Sequence, residues 1–296
     1  MSDVPWKSLK NGFAIPVLGQ GTWRMGGVDT PDTANDDADI AAIRRGIATG
    51  LCHIDTAEMY AGGHAEELVG IAMKGQGIGR ADYFLTDKVW KTHLRYDDVL
   101  RSAEASLKRL GTDYIDLYLI HQVNPDVPEE ETIRAMNRLK REGVIRHIGV
   151  SNFSEERLKR AQAASDAPIV ANQLHYNLRI REIEQCGLLD YCRSQGIMVI
   201  AWRPLRGLDL TLPLIVALAE KYGKTPSQIA LNWLLCQENV VTITKAANPL
   251  HLAENMGALG WALEKEDAER LRREYPAKRE FYPLKNGGRS SWCHEC

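Results

Sequence analysis

His53-Ile54-Asp55-Thr56-Ala57-Glu58-Met59-Tyr60 is the stretch that decides how this chain is read. Leu51, Cys52 and Ile54 are apolar, and Gly50 before them is a stop for the preceding helix, so the stretch begins as a buried strand. The strand ends in an acid, Asp55, and a tyrosine, Tyr60, follows five residues later. Gly62-Gly63 then opens a turn, and Ala65 to Met73 has the periodicity of a helix. A carboxylate at the end of a buried strand, followed at once by a phenol and a glycine turn, does little for packing. It suits chemistry at the mouth of a barrel.

On both sides of this stretch the chain alternates. Trp6 to Ile15 reads as a hairpin, because Asn11-Gly12 fits a type I′ turn that needs φ > 0 at both positions. Pro16 to Thr22 is a short strand, and Ile40, Ile43 and Ile47 mark one face of a helix that Gly50 ends. Strands follow at Tyr83–Thr86, Tyr114–Ile120, Ile145–Val150, Ile169–Ala171, Ile197–Ala201 and Val240–Ile243. Helices between them cover Val99–Leu110, Thr132–Glu142, Glu155–Ala164 and Ile183–Ser194, then Leu214–Lys221 and Ser227–Cys236. Strands alternating with helices imply a parallel sheet, and strands apolar throughout are buried on both faces. Eight such units predict a (β/α)8 TIM barrel with an N-terminal β-hairpin plug. A doubly wound open sheet is the competing architecture. Gly19-Gln20-Gly21 lacks the third glycine of its fingerprint and leads into a long polar loop instead of a helix. One domain is expected over 1–296, with 276–296 as an irregular C-terminal tail.

The composition is that of an ordinary globular chain: 296 residues, 44% hydrophobic and 26% charged, with a formal net charge of -2. Nothing in that balance favours nucleic acid or an anionic membrane, and no apolar run approaches the roughly 18 residues of a spanning helix. The start Met-Ser-Asp-Val-Pro-Trp has neither the basic nor the apolar region of a secretion signal, so a cytoplasmic protein is expected. Six cysteines are too few for a disulfide framework; Cys52, Cys186, Cys192 and Cys236 read as reduced.

Catalytic groups of a barrel sit at the C-terminal ends of its strands. Those ends here are Asp55, Lys88, His121, Ser151-Asn152, Gln173, Trp202-Arg203 and Lys245. The spacings 88 − 55 = 33 and 121 − 88 = 33 put the first three on adjacent strands facing one mouth. With Tyr60 they suit acid–base work on a carbonyl. A free phenol, with pKa about 10, is a poor acid at neutral pH. A lysine cation beside it favours the phenolate and is expected to lower that value, while an aspartate keeps the lysine charged and aims it. Singly, each residue has a structural reading: Asp55 as a turn cap, Lys88 with its charge led to solvent, Tyr60 and His121 as packing. Together at successive strand ends they form a constellation.

The chain resembles the aldo-keto reductases from the N-terminal hairpin to about Asn255. The matching motifs are Gly21-Thr22-Trp23, His53-Ile54-Asp55-Thr56-Ala57 with Tyr60, Asp87-Lys88-Val89-Trp90, Asp116 to His121 and Gly149-Val150-Ser151-Asn152-Phe153. Asn172-Gln173, Ala201-Trp202-Arg203-Pro204-Leu205 and Thr244-Lys245 with Glu254-Asn255 complete the ordered series. The resemblance implies the (β/α)8 barrel, a nicotinamide cofactor, and reversible reduction of aldehydes or ketones to alcohols. By position it implies Tyr60 as proton donor, Lys88 and Asp55 as its tuning pair, and His121 as the residue that orients the carbonyl. Ser151, Asn152 and Gln173 correspond to the side chains that hold the carboxamide. Trp202 stands where an aromatic stacks on the nicotinamide. Lys245 corresponds to the lysine at the adenosine ribose phosphate, and Glu254 and Asn255 to the adenine contacts. Thr22, Arg203, Leu205 and His251 complete the expected cofactor site; Trp23, Trp90 and Gln122 form the expected substrate pocket. NADPH is the expected cofactor, with NADH a second one, and no metal. The expected protein is a monomer acting on a small carbonyl or alcohol, with no nucleic-acid or membrane partner.

Three departures bear on specificity. His251 stands where strict NADPH users often carry arginine; a neutral imidazole cannot grip a phosphate as a guanidinium fork does. Arg203 replaces a common serine and is placed to reach the pyrophosphate. Gln122 follows His121 where many relatives have tryptophan, which suggests a more polar substrate. Glu129-Glu130-Glu131 charges the first turn of a helix. Cys293 and Cys296 lack the second pair a structural zinc site needs. Two other functions fit the barrel: a Schiff-base aldolase with Lys88 as nucleophile, and a cofactor-sensing regulatory subunit.

Overall fold

The computed structural model describes residues 4–75, 77–245, 247–278, 281–283 and 289–291. Its first two strands, β1 (Trp6–Ser8) and β2 (Ala14–Pro16), pair antiparallel. Eight parallel strands then close a barrel: β3 (Leu18–Gly21), β4 (His53–Asp55), β5 (Phe84–Val89), β6 (Ile115–Ile120), β7 (Ile145–Ser151), β8 (Ile169–His175), β9 (Met198–Trp202) and β10 (Val240–Thr244). Each pairs with the next in sequence, and β10 returns to β3 through Thr242 opposite Leu18. This is the expected (β/α)8 barrel.

The barrel interior packs Leu18, Phe84, Leu117, Leu119, Met198, Ile200 and Val241 into one cluster with Phe13 and Ile15 of the hairpin. The hairpin therefore acts as a plug. Phe13 meets His147 edge-on at 5.0 Å between ring centroids and Phe84 at 6.1 Å. Lys7 fastens the plug: its Nζ donates to the carbonyls of Leu235 (2.7 Å), Val240 (2.6 Å) and Gln237. Helices such as Tyr96–Leu110 and Glu129–Arg141 lay an apolar stripe on the outer faces of the strands.

Locally the structure departs from the sequence reading in four places. The hairpin turn is not type I′: Gly12 has φ 86° but Asn11 stays at negative φ, with its Oδ1 accepting the Phe13 N–H at 3.1 Å and its Nδ2 donating to the Gly196 carbonyl. The helix expected over Ile183–Ser194 is two, Glu182–Gln185 and Leu188–Ser194, because Gly187 takes φ 79° between them. Strands β5 and β8 run on to Val89 and His175. An apolar criterion stops short there, since Asp87, Lys88, Asn172 and Gln173 are buried within them. In 276–296, the described backbone contains the antiparallel pair Phe281–Pro283 and Arg289–Ser291, where the sequence has no periodicity. Trp292, Cys293 and Cys296 lie outside the described residues. Among the described residues Cys52, Cys186, Cys192 and Cys236 form no disulfide.

Candidate active site

Strand register delivers the first residues of the site. Asp55 of β4 pairs with Gly21 of β3 and with Thr86 of β5; Lys88, one strand over, pairs with Leu119 of β6, and the His121 N–H continues that ladder onto the Val89 carbonyl at 3.0 Å. Tyr60 comes from the turn Tyr60–Gly63, where Ala61, Gly62 and Gly63 have φ of 51°, 63° and 98°. That left-handed run turns the chain over the mouth and into the helix His64–Met73. A Cβ on Gly63 would lie 2.7 Å from Arg109 Nε, so a side chain there would have to push the guanidinium off Glu66.

Lys88 is fully buried, and its Nζ donates to Asp55 Oδ1 (2.6 Å), the Thr56 carbonyl (2.7 Å) and the Tyr60 hydroxyl (3.2 Å). The second Asp55 oxygen accepts from Gln173 Nε2 at 2.7 Å, across 118 residues of sequence. Gln173 thus anchors the aspartate, a contact the sequence does not suggest. The Tyr60 ring is wedged edge-on between Trp23 (centroids 5.1 Å) and His121 (5.5 Å), and Trp90 meets His121 at 5.0 Å.

Electrostatics corrects one expectation. Burial raises the Tyr60 phenol above its ordinary pKa; Lys88 pulls it down but does not win. Tyr60 therefore holds its proton at neutral pH. Burial also works against the Lys88 charge, but Asp55 and Tyr60 outweigh it and the ammonium is raised. Desolvation, then the Lys88 charge, keeps His121 well below the ordinary histidine range, so its ring is neutral. His53, buried in β4, is lowered to about 4 by desolvation, with Asp55 opposing and Lys88 assisting. The arrangement can hold a phenol protonated beside a fixed ammonium, and that ammonium stabilises the phenolate once the proton leaves.

These groups open on a cavity of about 280 Å³. Asp55, Tyr60, His121, Ser151, Asn152, Gln173, Trp202, Arg203 and Lys245 line it, as do Trp23 and Gln122. Met59, Pro204, Ile243 and Thr244 line it too and were not singled out in the sequence, being apolar or small residues beside the polar ones. Ser151 Oγ donates to the Gln173 carbonyl (2.9 Å), and Asn152 Nδ2 to Ser151 Oγ (3.0 Å). Trp202 stacks on His175, with centroids 4.5 Å apart and planes 17° from parallel, and the Arg203 guanidinium lies 4.8 Å from the Trp202 ring. His175, also missed, is buried and held neutral, its pKa lowered to about 3 by desolvation and then by Arg203 and Arg206. Arg24, Ala61, Asn152 and Arg203, the non-glycine residues with positive φ among those described, all lie on segments that follow barrel strands at the mouth.

The remaining expected residues lie off this cavity. Thr22 is fully buried, its hydroxyl on Thr56 Oγ1 (2.9 Å) and the Asp55 carbonyl (3.2 Å). Trp90 reaches the site through His121, and Leu205 packs on the core. On the helix Pro249–Met256, His251 is exposed, Glu254 accepts from Thr225 Oγ1 at 2.8 Å, and Asn255 is buried. Among the described residues no cluster of three or more His, Cys, Asp or Glu could hold a metal ion, and no helix is long and apolar enough to cross a membrane.

The family model for the Aldo/keto reductase family matches residues 17–275. Glyoxal reductase of Bacillus subtilis is 35% identical over 264 residues, covering 89% of this chain and 90% of its own length. The thermostable aldo-keto reductase Tm1743, crystallised with the inhibitor epalrestat, has a TM-score of 0.87 and 46% identity over 91% of this chain and 99% of that one. An aldo/keto reductase of Klebsiella pneumoniae in complex with NADP and acetate has a TM-score of 0.81 and 36% identity, covering 95% and 98%.

Proposed function

This chain belongs to the aldo/keto reductase family, and from that premise we propose that it reduces small carbonyl compounds to alcohols with NADPH, short dicarbonyls such as glyoxal foremost. The observation that carries this reading is the run of bonds Asp55–Lys88–Tyr60 ending at a cavity that His121 also lines. The name of the Bacillus relative supports the dicarbonyl, and the Klebsiella complex supports the cofactor.

The residues present fit a nicotinamide nucleotide. Asn152 Oδ1 and Thr244 Oγ1 are buried and accept no hydrogen bond among the described residues, and a carboxamide N–H is the kind of donor Asn152 lacks. Ser151, Asn152 and Gln173 would hold the carboxamide and Trp202 would give the ring a face to stack on. Thr22, Arg203 and Leu205 would flank the pyrophosphate side, Lys245 and His251 the ribose phosphate, and Glu254 and Asn255 the adenine. When bound, NADPH supplies the hydride.

The protein residues manage the oxygen. Neutral His121 donates a ring N–H to the carbonyl oxygen and sets its direction. As negative charge develops there, Tyr60 passes its hydroxyl proton to it, and the O–H bonding pair stays on the phenolate. Lys88, 3.2 Å away and kept charged by Asp55, stabilises that phenolate. The same groups run alcohol oxidation in reverse. Trp23 and Met59 bound the substrate, Trp90 backs His121, and the Gln122 amide offers a hydrogen bond to a second oxygen, as a dicarbonyl requires.

The aldolase reading needs a Lys88 lone pair. The ammonium is charged and committed to three acceptors, which leaves none. A regulatory subunit would bind NADPH without turning it over. Following NADPH absorbance with glyoxal, a simple aldehyde and a ketone tests the proposal. Turnover that disappears in Tyr60→Phe is expected; a chain that binds NADPH yet reduces none of the three contradicts it.

A further inference from the structure

Position 251 lacks the arginine that would grip a phosphate, yet three cations come together around the end of β10 and the loop that follows it. Lys245 Nζ donates to the Arg24 carbonyl at 3.1 Å, which joins the end of β10 to the segment after β3. Arg45, from the last turn of the helix Asp36–Ala48, sends Nη2 to the Ala247 carbonyl at 3.0 Å, in the loop between Lys245 and the helix Pro249–Met256. That bond uses one of five guanidinium donors and leaves the rest for an outside acceptor. Arg24 is exposed and has φ 65°, a conformation rarely taken without glycine and common at ligand-binding positions.

Among the described residues Arg24, Arg45 and Lys245 form no ion pair, whereas Arg80, Arg109 and Arg157 each close on an acid. The acid whose charge reaches Lys245 is Asp39, and Asp39 Oδ2 is occupied by the Gly26 N–H at 2.9 Å. Desolvation holds the Lys245 ammonium below its ordinary pKa; Asp39 opposes this, and the nearby Arg24 charge adds to it. Arg24 and Lys245 therefore repel one another until an anion joins them. The adjacent helix end contributes little: Pro249 has no N–H, and Asn248 Oδ1 already takes the Leu250 N–H at 2.9 Å. Side chains are therefore the main donors to an anion at this loop.

We infer that Arg24 and Arg45, together with Lys245, form the subsite for the 2′-phosphate on the adenosine ribose of the cofactor, supplying the guanidinium charge that His251 does not. The inference rests on the reductase reading. A phosphate carried on the 2′ oxygen meets two forks and an ammonium, a set that a bare 2′-hydroxyl cannot engage.

Two ligands that differ only in that phosphate test it: adenosine 2′,5′-bisphosphate and adenosine 5′-monophosphate, titrated by calorimetry against the full chain. Arg24→Leu and Arg45→Leu should each weaken bisphosphate binding by about fivefold or more, and the double variant by about thirtyfold, with monophosphate binding within about twofold. The bisphosphate affinity of the double variant should depend less steeply on salt, having lost two cations. Introducing His251→Arg into the double variant should restore most of the loss, which a folding defect would not allow. Variants that bind the bisphosphate like the wild type, or that lose both ligands equally, overturn the inference and leave the reductase reading standing. A wild-type chain that binds neither these ligands nor NADPH overturns both.

Discussion

Replacing Lys88 with methionine removes the charge beside Tyr60 and keeps most of the buried volume. The ammonium lies 3.2 Å from the phenol oxygen, so at an effective dielectric constant of about 20 its attraction for a full phenolate is roughly 332/(20 × 3.2), or about 5 kcal/mol. With the proton about half transferred in the transition state, about 2.5 kcal/mol of that is lost, equivalent to roughly a 70-fold fall in kcat. Breaking the pair costs stability as well, so thermal melting accompanies the kinetics and assays stay well below the transition. The assay is NADPH consumption at saturating glyoxal, with NADPH affinity measured separately by protein fluorescence. Combining Lys88→Met with Tyr60→Phe should lower kcat little beyond the worse single variant, because the two act as a unit. A kcat within about threefold of wild type, or a loss confined to NADPH affinity, refutes the electrostatic role.

NADPH and NADH dissociation constants should differ by less than about three decades, or 4 kcal/mol, and His251→Arg should tighten NADPH while leaving NADH nearly unchanged; a wider gap in the wild type contradicts this. His53 has a folded pKa of about 4 against an ordinary value of 6.5. Below pH 6.5 the unfolded chain takes up a proton that the folded chain refuses until about pH 4, so stability falls with pH across that window. At pH 5 this amounts to about 2 kcal/mol, and His53→Gln should shrink the difference in urea stability between pH 7 and pH 5 by that amount; an unchanged difference refutes it. Lys7→Met strands the carbonyls of Leu235, Gln237 and Val240 and should cost about 2 kcal/mol or more in urea unfolding, with NADPH affinity unaffected. A stability equal to wild type shows that the plug holds by its apolar contacts alone.

The barrel was legible because its strands are short apolar runs set off by glycine stops, and the 33-residue spacing of Asp55, Lys88 and His121 places each on the next strand, two residues past the direct partner (Asp55 pairs with Thr86, Lys88 with Leu119) and so on the same face. Legibility failed where function puts polar groups inside. The apolar runs end at Thr86 and Ala171, yet the strands continue through Asp87-Lys88 and Asn172-Gln173, because side-chain partners compensate for burying Lys88, Asn172 and Gln173. Contacts between distant segments leave no local signal: Gln173 reaches Asp55, His175 stacks on Trp202, and Arg45 reaches Ala247 only once the barrel has closed. The direction of the Tyr60 shift is hidden from the sequence for a related reason. Sequence shows that a lysine is near but not how completely the phenol is withdrawn from water, and burial decides the sign.

The central claim is that Tyr60 delivers the proton. The most direct measurement is the single-turnover rate of NADPH oxidation by Tyr60→Phe at saturating glyoxal, a substitution that removes one hydroxyl and leaves the ring packed against Trp23 and His121. The account predicts a fall of at least about a hundredfold with NADPH affinity little changed. A Tyr60→Phe rate near that of the wild type would assign the proton to His121 and contradict it.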